Sequence, residues 1–205
     1  MQKISDGYYY EVYDLNNGRV FKKKKSFMKI AEAIKGKAGV FTPALIYKTF
    51  IHVHKCESVT KRIRDSILPK ELLANPVFVS KTDYEQDSVT LLMDYFDSHS
   101  LGENKRVIDL YMNLIKEFLR YGLHDHVYKF KNSYGVNAQG GVVCIDFNEM
   151  TFSKDAVLTF VQTEEWRTQA QFTKFSEGEL KDYLGQKFRE TLTSSVVNQH
   201  WNSFP

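Results

Sequence analysis

The sequence predicts an α+β protein whose first half is rich in strands and whose second half is helical. Short β-prone runs bounded by polar turns concentrate before residue 94, and a long amphipathic stretch with further helical pieces follows. With 205 residues and 42% hydrophobic content, the chain can bury one good core, or two small lobes sharing a cleft.

Residues 8–13 (YYYEVY) and 18–22 (GRVFK) read as two strands joined through Asn17-Gly18, the strongest short-range hairpin signal. Ser26 is placed to cap a helix from 26 to 35, with Phe27, Ile30, Ala31 and Ile34 on one face. Thr42-Pro43 can open a helix, and 57–68 repeats Val59, Ile63 and Ile67 at helical spacing before Pro69. Residues 76–80 and 89–93 read as strands around a polar turn, TDYEQD. Residues 94–102 read as a polar connector and lobe boundary. The clearest helix follows at 104–121, with Val107, Tyr111, Leu114 and Phe118 on one stripe and Gly122 as its stop. A small hairpin joins 134–136 to 142–147, and helices are expected at 163–172 and 177–192.

Charge is close to balance, 28 basic against 25 acidic residues, so the chain's charge argues against a nucleic-acid partner for the Lys22–Lys25 run. Cys56 and Cys144 form no disulfide framework and suit a reducing compartment. No apolar run approaches membrane-spanning length, and the N-terminus is too polar for a signal peptide. The expectation is a cytoplasmic protein with no membrane partner. The 12 Tyr, 15 Phe and 2 Trp are read as core fillers. His52-x-His54 and His124-x-His126 lack a cysteine or carboxylate pair that would complete a zinc set. A serine–histidine–aspartate reading of His124-Asp125 fails for want of a Gly-x-Ser-x-Gly elbow.

Four segments carry residues that can do chemistry. Ser5 to Tyr13 holds Gly7 and Val12. In Val20-Phe21-Lys22, strand alternation puts Val20 and Lys22 on one face. Leu91 to Phe96 runs from an apolar strand into Met93-Asp94-Tyr95. Tyr121 to Glu149 holds Leu123-His124-Asp125, then Asn132, then Ile145-Asp146-Phe147-Asn148.

In this order the segments resemble the protein-kinase-like fold. The resemblance implies two lobes: a small β-rich N-lobe over 1–96 and a truncated helical C-lobe over 97–205. It implies an ATP- and Mg²⁺-dependent phosphotransferase acting on a protein or small-molecule hydroxyl. Gly7 would let the backbone approach phosphates, and Val12 would pack on adenine. Lys22 would bind the α/β-phosphates, held by a helix glutamate that is either Glu57 or Glu32. Met93 would be the gatekeeper, with Asp94 to Phe96, Tyr95 among them, supplying backbone hydrogen bonds to adenine. Asp125 would orient the attacking hydroxyl, and Asn132 with Asp146 would hold Mg²⁺ through hard oxygen donors.

The chain departs from the family at Ser5 and Tyr10, which fill glycine positions, and at Leu123, which replaces the loop histidine. Asn132 falls two residues late, Asn148 stands for a glycine, and no alanine-proline-glutamate segment follows Asp146. The pattern is most similar to the small bacterial YrbL-like group of the PhoP regulatory network. A pseudokinase, binding nucleotide or protein without transfer, is the alternative.

Overall fold

A computed structural model describes residues 1–35, 40–125, 130–173, 175 and 178–202, with the side chains of Ala170 and Gln171 outside the description. His126 of the second histidine pair and Glu177, the expected start of a helix, lie outside the described residues. The chain divides into two compact units, one of Met1–Ile67 with Asn75–Ser88, the other of Leu68–Ala74 with Val89–Pro205. This division places Val89–Phe96, counted above with the first lobe, in the second unit.

The first unit is built on an antiparallel five-stranded sheet. Strand β1 (Gln2–Asp6) pairs with β2 (Tyr10–Asp14), and β2 with β3 (Arg19–Lys24). The β2–β3 turn is the expected hairpin, with Gly18 at φ 77° and Asn16 at φ 59°, a combination that glycine and asparagine tolerate best. β1 was not expected, because all five of its residues are exposed and show no apolar alternation.

Helix α1 (Phe27–Lys35) follows, and Ser26 Oγ accepts from the Lys29 amide at 3.4 Å. Helix α2 (Pro43–Arg64) is a single 22-residue element, opened by Thr42 Oγ1 accepting from the Leu45 amide at 3.1 Å. It ends at Arg64, short of the expected Leu68, because Asp65 leaves helical geometry and caps it.

β4 (Val77–Phe78) and β5 (Tyr84–Asp87) complete the sheet in the order β1-β2-β3-β5-β4. The segment read as a polar turn therefore contains an inner strand. Tyr84 and Gln86 are buried on one face, while on the other Arg19 pairs with Glu85 and, at 2.6 Å, with Asp87.

In the second unit the expected strand at 89–93 shrinks to β6 (Thr90–Leu91), and the supposed connector forms helix α3 (Leu92–Ser98). Leu92 and Tyr95 supply its buried face, and Asn104 Nδ2 donates to the carbonyls of Phe96, in its last turn, and of His99, just beyond it. Helix α4 (Leu101–Arg120) matches expectation. A reciprocal Ser100–Glu103 capping box opens it. It closes through Gly122, whose φ of 65° lets the Gly122 and Leu123 amides reach the Leu119 and Phe118 carbonyls.

Strand β7 (His124–Asp125), the short helix α5 (Phe130–Ser133), β8 (Tyr134–Val136), β9 (Val142–Cys144) and β10 (Met150–Thr151) follow. β6 and β9 flank β8, and β7 pairs with β10. The tail comprises α6 (Lys154–Gln162), α7 (Ala170–Thr173), α8 (Glu179–Thr191) and α9 (Ser194–His200). The helix expected from 163 to 172 is displaced, since Ser153 caps α6 earlier and Glu164 breaks the chain at φ 47°. α8 packs along α4, and Tyr111, Phe130, Tyr134, Trp166 and Phe188 form a buried aromatic cluster.

Gly135 lies opposite Leu91, where β8 comes close to the chain entering β6. A Cβ there would lie 2.8 Å from the Thr90 carbonyl oxygen and inside the Val89 side chain. Gly135→Ala should therefore cost about 2–3 kcal/mol of unfolding free energy, measured by urea denaturation, whereas Gly102→Ala, which meets nothing, should cost far less.

Candidate functional site

Register explains the exposure of the basic run in the first unit. Val12, Lys22 and Tyr84 are cross-strand partners and share one face. Lys22 is only 7% exposed, and its Nζ sits 5.7 Å from the Tyr84 ring centroid. Lys24 lies on the same face and forms an ion pair with Glu57. Glu57, expected to hold Lys22, thus reaches the lysine two residues further along, and Glu32 is exposed on α1. Lys25 is buried against Asp6, because the chain turns from β3 into α1 there. Only Lys23 of Lys22–Lys25 is fully outward.

Gly7 lies in the connection between β1 and β2, flanked by two tightly held carboxylates. Hydrogen bonds from Lys25 and Lys3 hold Asp6 at about 2. Hydrogen bonds from Lys29, Tyr13 and Lys3 hold Glu11 at about 2.

In the second unit, the segment expected to present main-chain groups to an adenine is helical. Met93 is partly exposed on α3, and Tyr95 is buried, its ring stacked 3.6 Å from the His99 ring. The Asp94 carbonyl accepts from Ser98 Oγ at 2.7 Å and the Tyr95 carbonyl from His99 Nδ1 at 2.9 Å. Hydrophobic spacing at Leu92 and Tyr95 favours helix over a hinge strand here.

Asp125 and the main chain of Asp146 are each bonded to the segment that follows Asn132. Asp125 sits in β7, 6% exposed, and its Oδ2 accepts from the Tyr134 hydroxyl at 3.0 Å. Burial and then the Asp125 charge push the Tyr134 phenol well above its ordinary value, so it stays a donor. Asn132 is exposed on α5, directly before Ser133. The Ser133 carbonyl accepts from the Ile145 amide at 2.8 Å and the Asp146 amide at 3.3 Å. Asp146 is half-exposed, and its Oδ1 accepts from Asn148 Nδ2 at 2.8 Å. Tyr134, Ser133 and Asn148 were not singled out in the sequence. Asn148 was readable only as a missing glycine, and Tyr134 only as a strand residue.

Oxygen donors on Asn132 and Asp146 suit a hard divalent cation. Among the described residues no group of three or more His, Cys, Asp or Glu side chains is placed to hold a metal. His52 and His54 lie on α2, where positions two apart point about 200° apart, so they do not converge. His52 Nε2 instead meets Cys56 Sγ at 3.6 Å, and the His54 ring stacks on Phe50. His124 is buried beside Phe160.

No family model matches the sequence, and no curated protein matches it. Among solved structures, the complex of Rv3197 with erythromycin from Mycobacterium tuberculosis is similar at a TM-score of 0.45 and 10% identity, over 92% of this chain and 53% of that one. The chain thus spans about half the length of that neighbour. The Rio2 kinase–ADP/Mg²⁺–phosphoaspartate complex from Chaetomium thermophilum is similar at a TM-score of 0.44 and 16% identity, over 96% of this chain and 67% of that one.

Two outcomes follow from the geometry. Asp6 and Glu11 have folded values below their unfolded ones. Their stabilisation is therefore present above about pH 4.5 and is lost as pH falls toward about 2. Thermal melts across that window should lose less stability in Glu11→Gln than in the parent chain. Tyr134→Phe removes a buried donor from a carboxylate and should cost about 1–2 kcal/mol in urea unfolding.

Proposed function

We propose that this chain is an ATP- and Mg²⁺-dependent phosphotransferase of protein-kinase-like fold, acting on a protein or small-molecule hydroxyl in the cytoplasm. One observation carries the reading: the Tyr134 hydroxyl bonds the Asp125 carboxylate and the Ser133 carbonyl takes the Asp146 amide, which anchors both aspartates to the segment that opens with Asn132. Phosphoryl transfer asks a protein mainly to position groups and neutralise charge, and such a cluster is suited to that.

In this reading Asp146 and Asn132 hold Mg²⁺, which when bound would neutralise charge on the transferring phosphate. Asn148 keeps the Asp146 carboxylate oriented. Asp125 accepts a hydrogen bond from the acceptor hydroxyl and aligns it, with Tyr134 fixing the carboxylate plane. Lys22 supplies a cation to the α/β-phosphates, and Gly7 and Val12 border the nucleotide. Met93 is the gatekeeper beside the base, and Tyr95 belongs to the segment that borders it. The pattern of these residues resembles that of the minimal bacterial YrbL-like kinases.

A second reading, the pseudokinase, is favoured by one feature. Asp125 is 6% exposed and already engaged by Tyr134, which limits its access to an acceptor.

Purified protein incubated with γ-labelled ATP and Mg²⁺, alone and with cell lysate, separates the two. Label transfer reduced about a hundredfold or more by Asp146→Ala is expected for the phosphotransferase. Thermal stabilisation by Mg-ATP without transfer would establish the pseudokinase, and neither effect would sink both.

A further inference from the structure

The N-terminal half of α2 turns an apolar stripe outward. Tyr47, Phe50 and Ile51 are 69%, 58% and 49% exposed, and exposed His54 completes an i, i+3, i+4, i+7 row. A helix of a folded unit normally buries such a row. Here the buried residues of α2 (Thr49, Cys56, Val59, Thr60 and Ile63) lie on its opposite side. Within the row the Phe50 and His54 rings lie parallel, with 3° between their planes.

Charge on the same helix is one-sided. It carries Lys48, Lys55, Lys61, Arg62 and Arg64 against the single carboxylate of Glu57, and Lys24 occupies that carboxylate. Lys61 pairs with Asp65, and Arg64 pairs with it too. Lys48 and Lys55 are exposed, make no ion pair among the described residues, and border the stripe on the Ile51 side. Seven positions apart, they stand about 10.5 Å from each other along the axis.

We infer that this face docks an acidic amphipathic helix from another protein. Its apolar residues would recur every three or four positions against Tyr47, Phe50, Ile51 and His54, and its carboxylates, a heptad apart, would meet Lys48 and Lys55. The repeat is that of a two-helix seam flanked by charge pairs. A second copy of this chain fits worse, because α2 would bring lysines to lysines with no carboxylate to answer them. Three exposed apolar side chains and two lysines also fall short of what holds a protein on a lipid surface.

The probe is a fluorescent peptide of three heptads with leucine at the seam positions and glutamate on both flanks. Titrated with the full chain, it should give saturable anisotropy, weakened about tenfold by Phe50→Glu and several-fold by Lys48→Glu with Lys55→Glu. The counterpart peptide with lysine flanks should not bind. Phe50→Glu alters an exposed residue, and its unchanged circular dichroism and melting temperature would show that lost binding is not lost folding. Three results would overturn the inference: no saturable binding, binding indifferent to Phe50→Glu, or equal binding of the lysine peptide. Sedimentation of the chain as a dimer that Phe50→Glu dissociates would assign the face to a second copy. Capture by vesicles of mixed neutral and anionic phospholipid, lost in Phe50→Glu, would assign it to lipid.

Discussion

Ser133, Tyr134 and Gly135 are three consecutive residues that each perform a different bonding task. The Ser133 carbonyl takes two amides from the segment ending at Asp146. The Tyr134 hydroxyl fixes Asp125 while its ring packs edge-on against Tyr111. Gly135, lacking a Cβ, lets β6 close onto β8. Strands of two or three residues have little ladder of their own, so β6, β8 and β9 hold their places through this segment and the α4 surface beneath it. The candidate polar groups inherit their positions from it.

The same economy governs the sheet of the first unit. Its strands carry many charges, and alternation decides which of them are dry. Lys22 and Lys24 follow Tyr10 and Val12 onto the inner face, and each is accommodated by an aromatic ring or a carboxylate. A buried ammonium is tolerable only with such compensation. Burial accordingly holds the Lys24 ammonium below its usual range.

Elements with strong periodicity were readable from the sequence: α4 through its apolar band, the β2–β3 hairpin through Asn-Gly, and the β8–β9 hairpin through its glycines. Elements whose identity depends on a neighbour were not. β5 is spelled Tyr-Glu-Gln-Asp and is a strand because β3 and β4 bracket it; β1 is a strand because β2 offers it an edge. α3 reads as a connector in composition but buries Leu92 and Tyr95. In the site, Asp125, Asn132 and Asp146 could be chosen by residue type and order. The groups that orient them, Tyr134, Ser133 and Asn148, could not, since a hydroxyl, a carbonyl and an amide acquire such roles only in three dimensions. Glu57 pairs with Lys24 for a related reason: a strand offers the same face every second residue, and sequence does not say which lysine a helix will reach.

β1 has one further consequence. It forms an outer border of the sheet, with one row of main-chain groups turned away from β2. Such a border invites edge-to-edge pairing with other chains into aggregates. This one is irregular, its register slipping between Lys3 and Ser5, and Lys3 and Asp6 place charges on either side of that slip. The kink and the charges make the border a poor template, which offers a physical reason for the polar spelling of a strand that contributes almost nothing to the core.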